Sequence, residues 1–125
     1  MGSTCSGLST ARPEVFGPVT WNVLHTLAQQ YPDRPDQTRT QACSGFVASL
    51  PYMLPDPASA AALQRYSIDY PGSLEAVCSG GPHLRQFFCN AHNAVNESLG
   101  KPPVSCDPVT LGSMYANAPL CVPSP

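Results

Sequence analysis

The placement of proline decides what this chain can fold into. Fifteen prolines stand among its 125 residues, and they gather at 51–57, at 102–108 and at the C-terminus. Proline locks φ and lacks the N–H that a helix interior or a central strand needs, so regular structure has to sit between these clusters and end at them. The intervening segments carry apolar residues at helical spacing, and none shows strand-like alternation. An all-α chain of short helices joined by stiff corners follows, forming one domain with a single core.

In 18–31, Trp21, Leu24, His25, Ala28 and Tyr31 share one helical face, and Pro32 ends the run. Asp36 is the expected N-cap of a second helix, whose stripe is Ala42, Cys43, Phe46, Val47 and Leu50. A third begins with Asp56 as cap and Pro57 at its first position, and turns Leu63 and Tyr66 inward. The loop over 67–81 holds Pro71, Gly72 and the Gly80–Gly81 pair, with room for one helical turn around 74–77. A fourth helix spans 82–99 and is closed by Gly100, and Asp107-Pro108 opens a short fifth ending near Tyr115. The expected architecture is a four-helix bundle with the fifth helix lying across it. Residues 1–16 read as an N-terminal extension, 17–116 as the helical domain and 117–125 as a C-terminal tail.

Charge and composition narrow the function. A formal net charge of −2 supplies no basic field for nucleic acid, and no apolar run approaches the roughly 18 residues of a membrane span. The N-terminus lacks the apolar stretch of a secretory signal, so none is expected. It does match the myristoylation pattern Met-Gly-x-x-x-Ser, with Cys5 as a second acyl site, beside the plainer reading of an unmodified start. Membrane contact, if made that way, is peripheral. Six cysteines, at 5, 43, 78, 89, 106 and 121, favour an oxidising compartment. None form a Cys-x-x-Cys pair, so neither a zinc site nor a thioredoxin-type motif is expected.

The most informative stretch is "CNAHNAVNESLGKPPVSC", Cys89 to Cys106. Cys89, His92, Asn93 and Asn96 fall at i, i+3, i+4 and i+7 and so share one helical face. Asparagine is a poor helix former, and its amide is costly to bury without partners, so this face should meet either solvent or a planar polar ligand. His92 and His25 can reach the same interior. Cys106 follows the Gly100 stop, where the chain can double back, and a Cys89–Cys106 disulfide would staple the fifth helix to the fourth for about 3 kcal/mol. Asn96-Glu97-Ser98 is a glycosylation sequon by pattern, but it lies within the helix and is discounted.

This segment resembles the Cys-x-x-His-Asn-x-Val-Asn-x-x-Leu-Gly-Lys-x-x-x-x-Cys signature of the Erv/ALR flavin-linked sulfhydryl oxidases. Upstream, "GPVTWNVLHTLAQQYPD" is similar to that family's first helix, Gly-x-x-x-Trp-x-x-Leu-His-x-x-Ala followed by Tyr-Pro. The resemblance implies the family's four helices plus a short fifth. It also implies flavin adenine dinucleotide (FAD) contacts from Trp21, His25, Cys89, His92, Asn93, Asn96 and Lys101, where aromatic faces stack on rings and amides answer polar edges.

The chain departs from the family where the chemistry lies. Family members carry Tyr-Pro-Cys-x-x-Cys at the start of the third helix, where a thiolate is stabilised by the helix N-terminus. Here "LPDPAS" puts Asp56 and Ser59 at the two cysteine positions. A carboxylate forms no mixed disulfide, and an unactivated hydroxyl carries no thiol redox chemistry, so no catalytic residue is assigned. The basic residues the family shows before Leu-Gly-Lys are replaced by Glu97 and Ser98, its following Phe by Val104, and its fifth-helix Arg-Trp pair is missing from "TLGSMYA". The loss of cations weakens the case for a bound pyrophosphate.

Two functions are in contest. One is a catalytically inactive sulfhydryl-oxidase-like domain kept as a structural or accessory subunit of a larger assembly, on the intermembrane-space side of a mitochondrial inner-membrane, respiratory complex. Its partners would be protein subunits; the resemblance implies that Cys5 and Cys121 could link a homodimer, as terminal cysteines do in some family members, while pairing within the chain or staying free are equally open. The other is a working FAD-dependent thiol oxidase with a non-standard cysteine pair, for which Cys43 and Cys78 are the candidates despite lacking Cys-x-x-Cys geometry.

Overall fold

The computed structural model describes residues 13–115. They form α1 (Pro13–Gln30), α2 (Gln37–Ser49) running into a 3-10 turn (Leu50–Tyr52), α3 (Pro57–Asp69), the single turn α4 (Leu74–Val77), α5 (Gly81–Ser98) and α6 (Pro108–Tyr115). Among the described residues there is no strand. The long helices α1, α2, α3 and α5 are the bundle, and α6 is the short fifth helix. Cys5 and Cys121 lie outside the described residues.

Local chemistry sets the helix ends. Asp36 accepts the Arg39 N–H at 2.8 Å, Asp56 the Ser59 N–H at 2.9 Å, and Asp107 the Thr110 N–H at 3.0 Å. Each satisfies a first-turn donor that the helix itself cannot pair. At the other end of α5, Gly100 takes φ +72°. There the Lys101 N–H reaches the Asn96 carbonyl at 2.8 Å and the Gly100 N–H the Glu97 carbonyl at 3.2 Å, a Schellman closure that favours glycine.

Boundaries differ from the expectation: α3 runs on to Asp69, into the stretch read as loop, and the start of α1 is earlier. α1 begins at Pro13 rather than at Pro18, which lies inside it. Pro13 fills a first-turn position whose N–H would go unpaired in any case, whereas Pro18 gives up one backbone bond. The added turn places Val15 in a buried position.

Helix α5 is the axis of the core. Its Leu84, Phe87, Phe88, Ala91 and Val95 pack with Trp21, Leu24 and Ala28 of α1 and with Leu63 of α3. Burying a large apolar side chain contributes about 1.5–3 kcal/mol, so this helix is the main source of hydrophobic stabilisation. Tyr66 of α3 and Tyr70, at its C-cap, close the far side against Phe87, with ring centroids 5.4 and 5.0 Å away.

The start of α5 is pressed against the turn after α1. A Cβ on Gly81 would stand 2.7 Å from the Tyr31 carbonyl oxygen, and one on Gly80 would stand 2.7 Å from that of Asp33. The glycine pair, read from sequence as loop, is therefore a close backbone crossing, tied by the Gly81 N–H to the Pro32 carbonyl at 3.0 Å.

Helix α2 is the least embedded. Only Cys43 and Val47 are buried, and Phe46 of the expected stripe is 44 % exposed. The helix packs mainly on the 3-10 turn and on α4, where Cys43 is joined to Cys78. Tyr31 adds a bond from its hydroxyl to the Cys78 carbonyl at 2.8 Å.

Candidate functional site

Between α1, the start of α3, α5 and the end of α6 lies a cavity of about 240 Å³. Trp21 and Thr20 of α1, Asp56 and Ser59 of α3, and His92 and Asn96 of α5 line it. Leu54, Leu63, Val95 and Leu99 supply apolar wall, while Lys101 and Tyr115 complete the rim.

An aromatic stack organises the α1–α5 side. The His92 ring lies on the Trp21 indole with centroids 4.4 Å apart and planes within 8°. His25, one turn after Trp21, meets His92 through a 2.9 Å contact between Nε2 of His25 and Nδ1 of His92. His25 in turn stacks on Tyr115 at 4.3 Å. Burial lowers the His25 pKa to about 4. The His92 pKa is lowered to about 4 by burial first, then by the charges of His25 and Lys101. At neutral pH the pair is therefore uncharged, one ring donating and the other accepting.

This has a pH consequence. The unfolded chain protonates both imidazoles near 6.5, whereas the folded one resists until about 4. Stability from the pair is thus complete above pH 6.5 and is lost as pH falls through this window. The loss is on the order of 3 kcal/mol for buried His25, and smaller for the partly exposed His92. Urea midpoints measured between pH 7 and pH 4 should fall in the wild type and flatten in His25→Phe; equal slopes for the two proteins would contradict this account.

Of the seven residues singled out in the sequence as cofactor contacts, Trp21, His92, Asn96 and Lys101 line the cavity. The other three stand behind it. His25 is 2 % exposed and orients His92. Asn93 pairs its amide with the returning chain: its Nδ2 donates to the Val104 carbonyl at 3.0 Å, and its Oδ1 accepts the Val104 N–H at 2.7 Å. Cys89 is fully buried and joined to Cys106. Together Gly100, Asn93 and this disulfide bind the strap 100–107 to α5 and seat Leu111 and Tyr115 of α6 beside Cys89. Tyr115 was not anticipated as a site residue; the fifth-helix position where the family's Arg-Trp pair was missed was the available signal.

Asp56 and Ser59 stand in the cavity wall. Oδ2 of Asp56 accepts both the Ser59 N–H, at 2.9 Å, and the Ser59 hydroxyl, at 2.6 Å. None of the described residues lining the cavity is a cysteine. Cys43 opens instead onto a separate apolar groove with Leu27, Tyr31 and Phe46. Among the described residues no cluster of His, Cys, Asp or Glu is placed to hold a metal ion, and no helix is long and apolar enough to cross a membrane.

Comparison with known proteins agrees with this geometry. The 096R protein of Invertebrate iridescent virus 3, named for FAD-linked sulfhydryl oxidase activity, is 35 % identical over 99 residues, spanning 78 % of this chain and 64 % of its own length. The FAD-linked sulfhydryl oxidase ERV1 of Arabidopsis thaliana is 32 % identical over 77 % of this chain and 48 % of its own length. The mitochondrial FAD-linked sulfhydryl oxidase erv1 of Schizosaccharomyces pombe is 34 % identical over 73 % and 49 %. The chain thus spans from about half to 64 % of the length of these relatives. The crystal structure of the yeast Erv1 core superposes with a TM-score of 0.73 at 22 % identity, covering 91 % of this chain and 92 % of that one, a likeness of fold. A sequence profile described as the Erv1 / Alr family matches residues 18–115. The chain belongs to the Erv1 / Alr family.

Proposed function

We propose that this protein is an Erv1 / Alr domain that keeps a flavin-type pocket without the thiol relay, and that it works as a structural or accessory subunit of a larger assembly. The single observation that carries the reading is the cavity wall: where a redox sulfur would have to sit, Asp56 and Ser59 are bonded to each other as a helix cap. Neither can take up or pass on the electrons of a dithiol.

The lining fits a flavin dinucleotide. Trp21 and His92 offer flat aromatic faces, Leu54, Leu63 and Val95 give a dry surface for a ring, and Lys101 supplies a cation for a phosphate. Among the described residues the buried Asn96 amide makes one long bond, 3.4 Å to the Pro102 carbonyl, and so has capacity for a ligand. Bound flavin supplies a two-electron acceptor. This chain's own part would be to orient it between α1 and α5 and to shield it from water.

A host assembly at the mitochondrial inner membrane, facing the intermembrane space, is supported by the relatives named as mitochondrial in Schizosaccharomyces pombe and Saccharomyces cerevisiae. The two disulfides among the described residues suit an oxidising compartment. A working oxidase running through Cys43–Cys78 is less well supported, because that bridge faces another groove.

The test is colorimetric and respirometric. The full chain saturated with FAD should retain its yellow colour in excess dithiothreitol and take up oxygen no faster than buffer containing free FAD. Rapid bleaching coupled to oxygen uptake would overturn the inactive reading. Copurification from native membranes should return the chain in a stable complex; recovery as a lone small protein would defeat the accessory-subunit role.

A further inference from the structure

Asp56 brings more to the cavity than the absence of sulfur. Only one of its carboxylate oxygens, Oδ2, is occupied by Ser59. Oδ1 accepts no hydrogen bond from any described residue. Leu54, Leu63, Val95 and Leu99 give the cavity that Asp56 lines an aliphatic part to its wall. Among the described lining residues Lys101 is the one lysine or arginine, and it is exposed to solvent. A ligand filling this space therefore meets the Asp56 carboxylate beside aliphatic side chains.

We infer that Asp56 is a specificity-determining residue that makes the cavity favour an uncharged planar ligand over one that has become negative. For the flavin of the reading above, on which this inference rests, the uncharged oxidised ring is retained in preference to its reduced monoanion. That monoanion arises when two electrons and one proton are added, here from dithionite as the electron donor. Where a thiol pair would deliver electrons, this wall opposes their arrival. The site works as a holder of oxidised flavin.

The decisive variant is Asp56→Asn, because asparagine caps a helix about as well as aspartate and leaves the fold in place. The full chain is loaded with FAD, and the reduction midpoint of the bound flavin is measured anaerobically against a reference dye. Removing the charge should shift the ratio of reduced-to-oxidised affinity about tenfold toward the reduced form. For two electrons that is a rise of about 30 mV. Ser59→Ala removes the hydroxyl donor to Oδ2 and should move the midpoint the opposite way, which also covers a poorly folding Asp56→Asn. Equal midpoints for the wild type and both variants, with flavin still bound, would overturn the inference and leave the flavin reading standing. Failure of the wild type to bind FAD would overturn both together.

Discussion

Asp56→Cys with Ser59→Cys should turn the FAD-loaded protein into a dithiothreitol oxidase. The two positions are three apart at the first turn of α3, and both line the cavity that holds Trp21, His92 and Asn96. A thiol there sits at a helix N-terminus of thirteen residues, where the dipole and unpaired N–H groups favour the thiolate. Lowering a thiol pKa from about 8.5 to about 7 raises the thiolate fraction at neutral pH by roughly fifteenfold. Oxygen uptake should accordingly rise from the buffer background to at least that multiple of it. In the net reaction two thiols become one disulfide, and oxygen takes the two electrons and two protons as hydrogen peroxide. An oxygen electrode with a peroxide assay reads the gain. The single variants should stay at background, since one thiol cannot close a disulfide within the site. A double variant that folds, binds flavin and remains inert would show that the cavity has lost more than its sulfurs.

The second large effect concerns the strap. Replacing Cys89 and Cys106 by serine should lower the unfolding free energy by about 3 kcal/mol, the loop-closure value for a bridge of this span. The sulfurs link residues 17 apart, and the bridge is packed against Leu111 and Tyr115. Its loss frees α6 as well as the strap, so Tyr115 should leave His25 and the affinity for FAD should fall with the stability. Replacing Cys43 and Cys78, whose separation is 35, gives a control. That bridge closes a longer loop and should cost a similar amount, about 4 kcal/mol, yet neither of its cysteines lines the cavity, and FAD affinity should be unchanged. Urea unfolding and flavin fluorescence titration separate the two outcomes. Comparable losses of FAD affinity in both mutants would argue that the cavity senses global stability alone.

Much of the fold is legible in the sequence because its signals act over a single turn. Prolines and the caps Asp36, Asp56 and Asp107 bound the helices whatever the rest of the chain does. The periodicity of Trp21, Leu24, His25 and Ala28 marks an inward face that the structure buries. The same locality explains the errors. Pro18 reads as a start because a proline inside a helix gives up a bond, and only the burial of Val15 shows what offsets that cost. Phe46 fits the stripe of α2 by spacing, but that helix packs on α4 and the 3-10 turn, leaving its aromatic ring outside.

The sequence by itself determined the helical class and the family, since each is written in residue type at fixed spacing. Tertiary structure alone decided which polar residues of α5 face the cavity and which tie down the strap. Asn93 and Asn96 are three residues apart on one helix, yet Asn93 is taken up by Val104 and Asn96 faces the cavity. It also decided that Cys43 meets Cys78, and that Tyr115 joins the histidine pair. The reason is physical: capping and periodicity are set by neighbours along the chain, whereas the partner of a buried amide, sulfur or ring depends on how separate helices pack, and no local rule carries that.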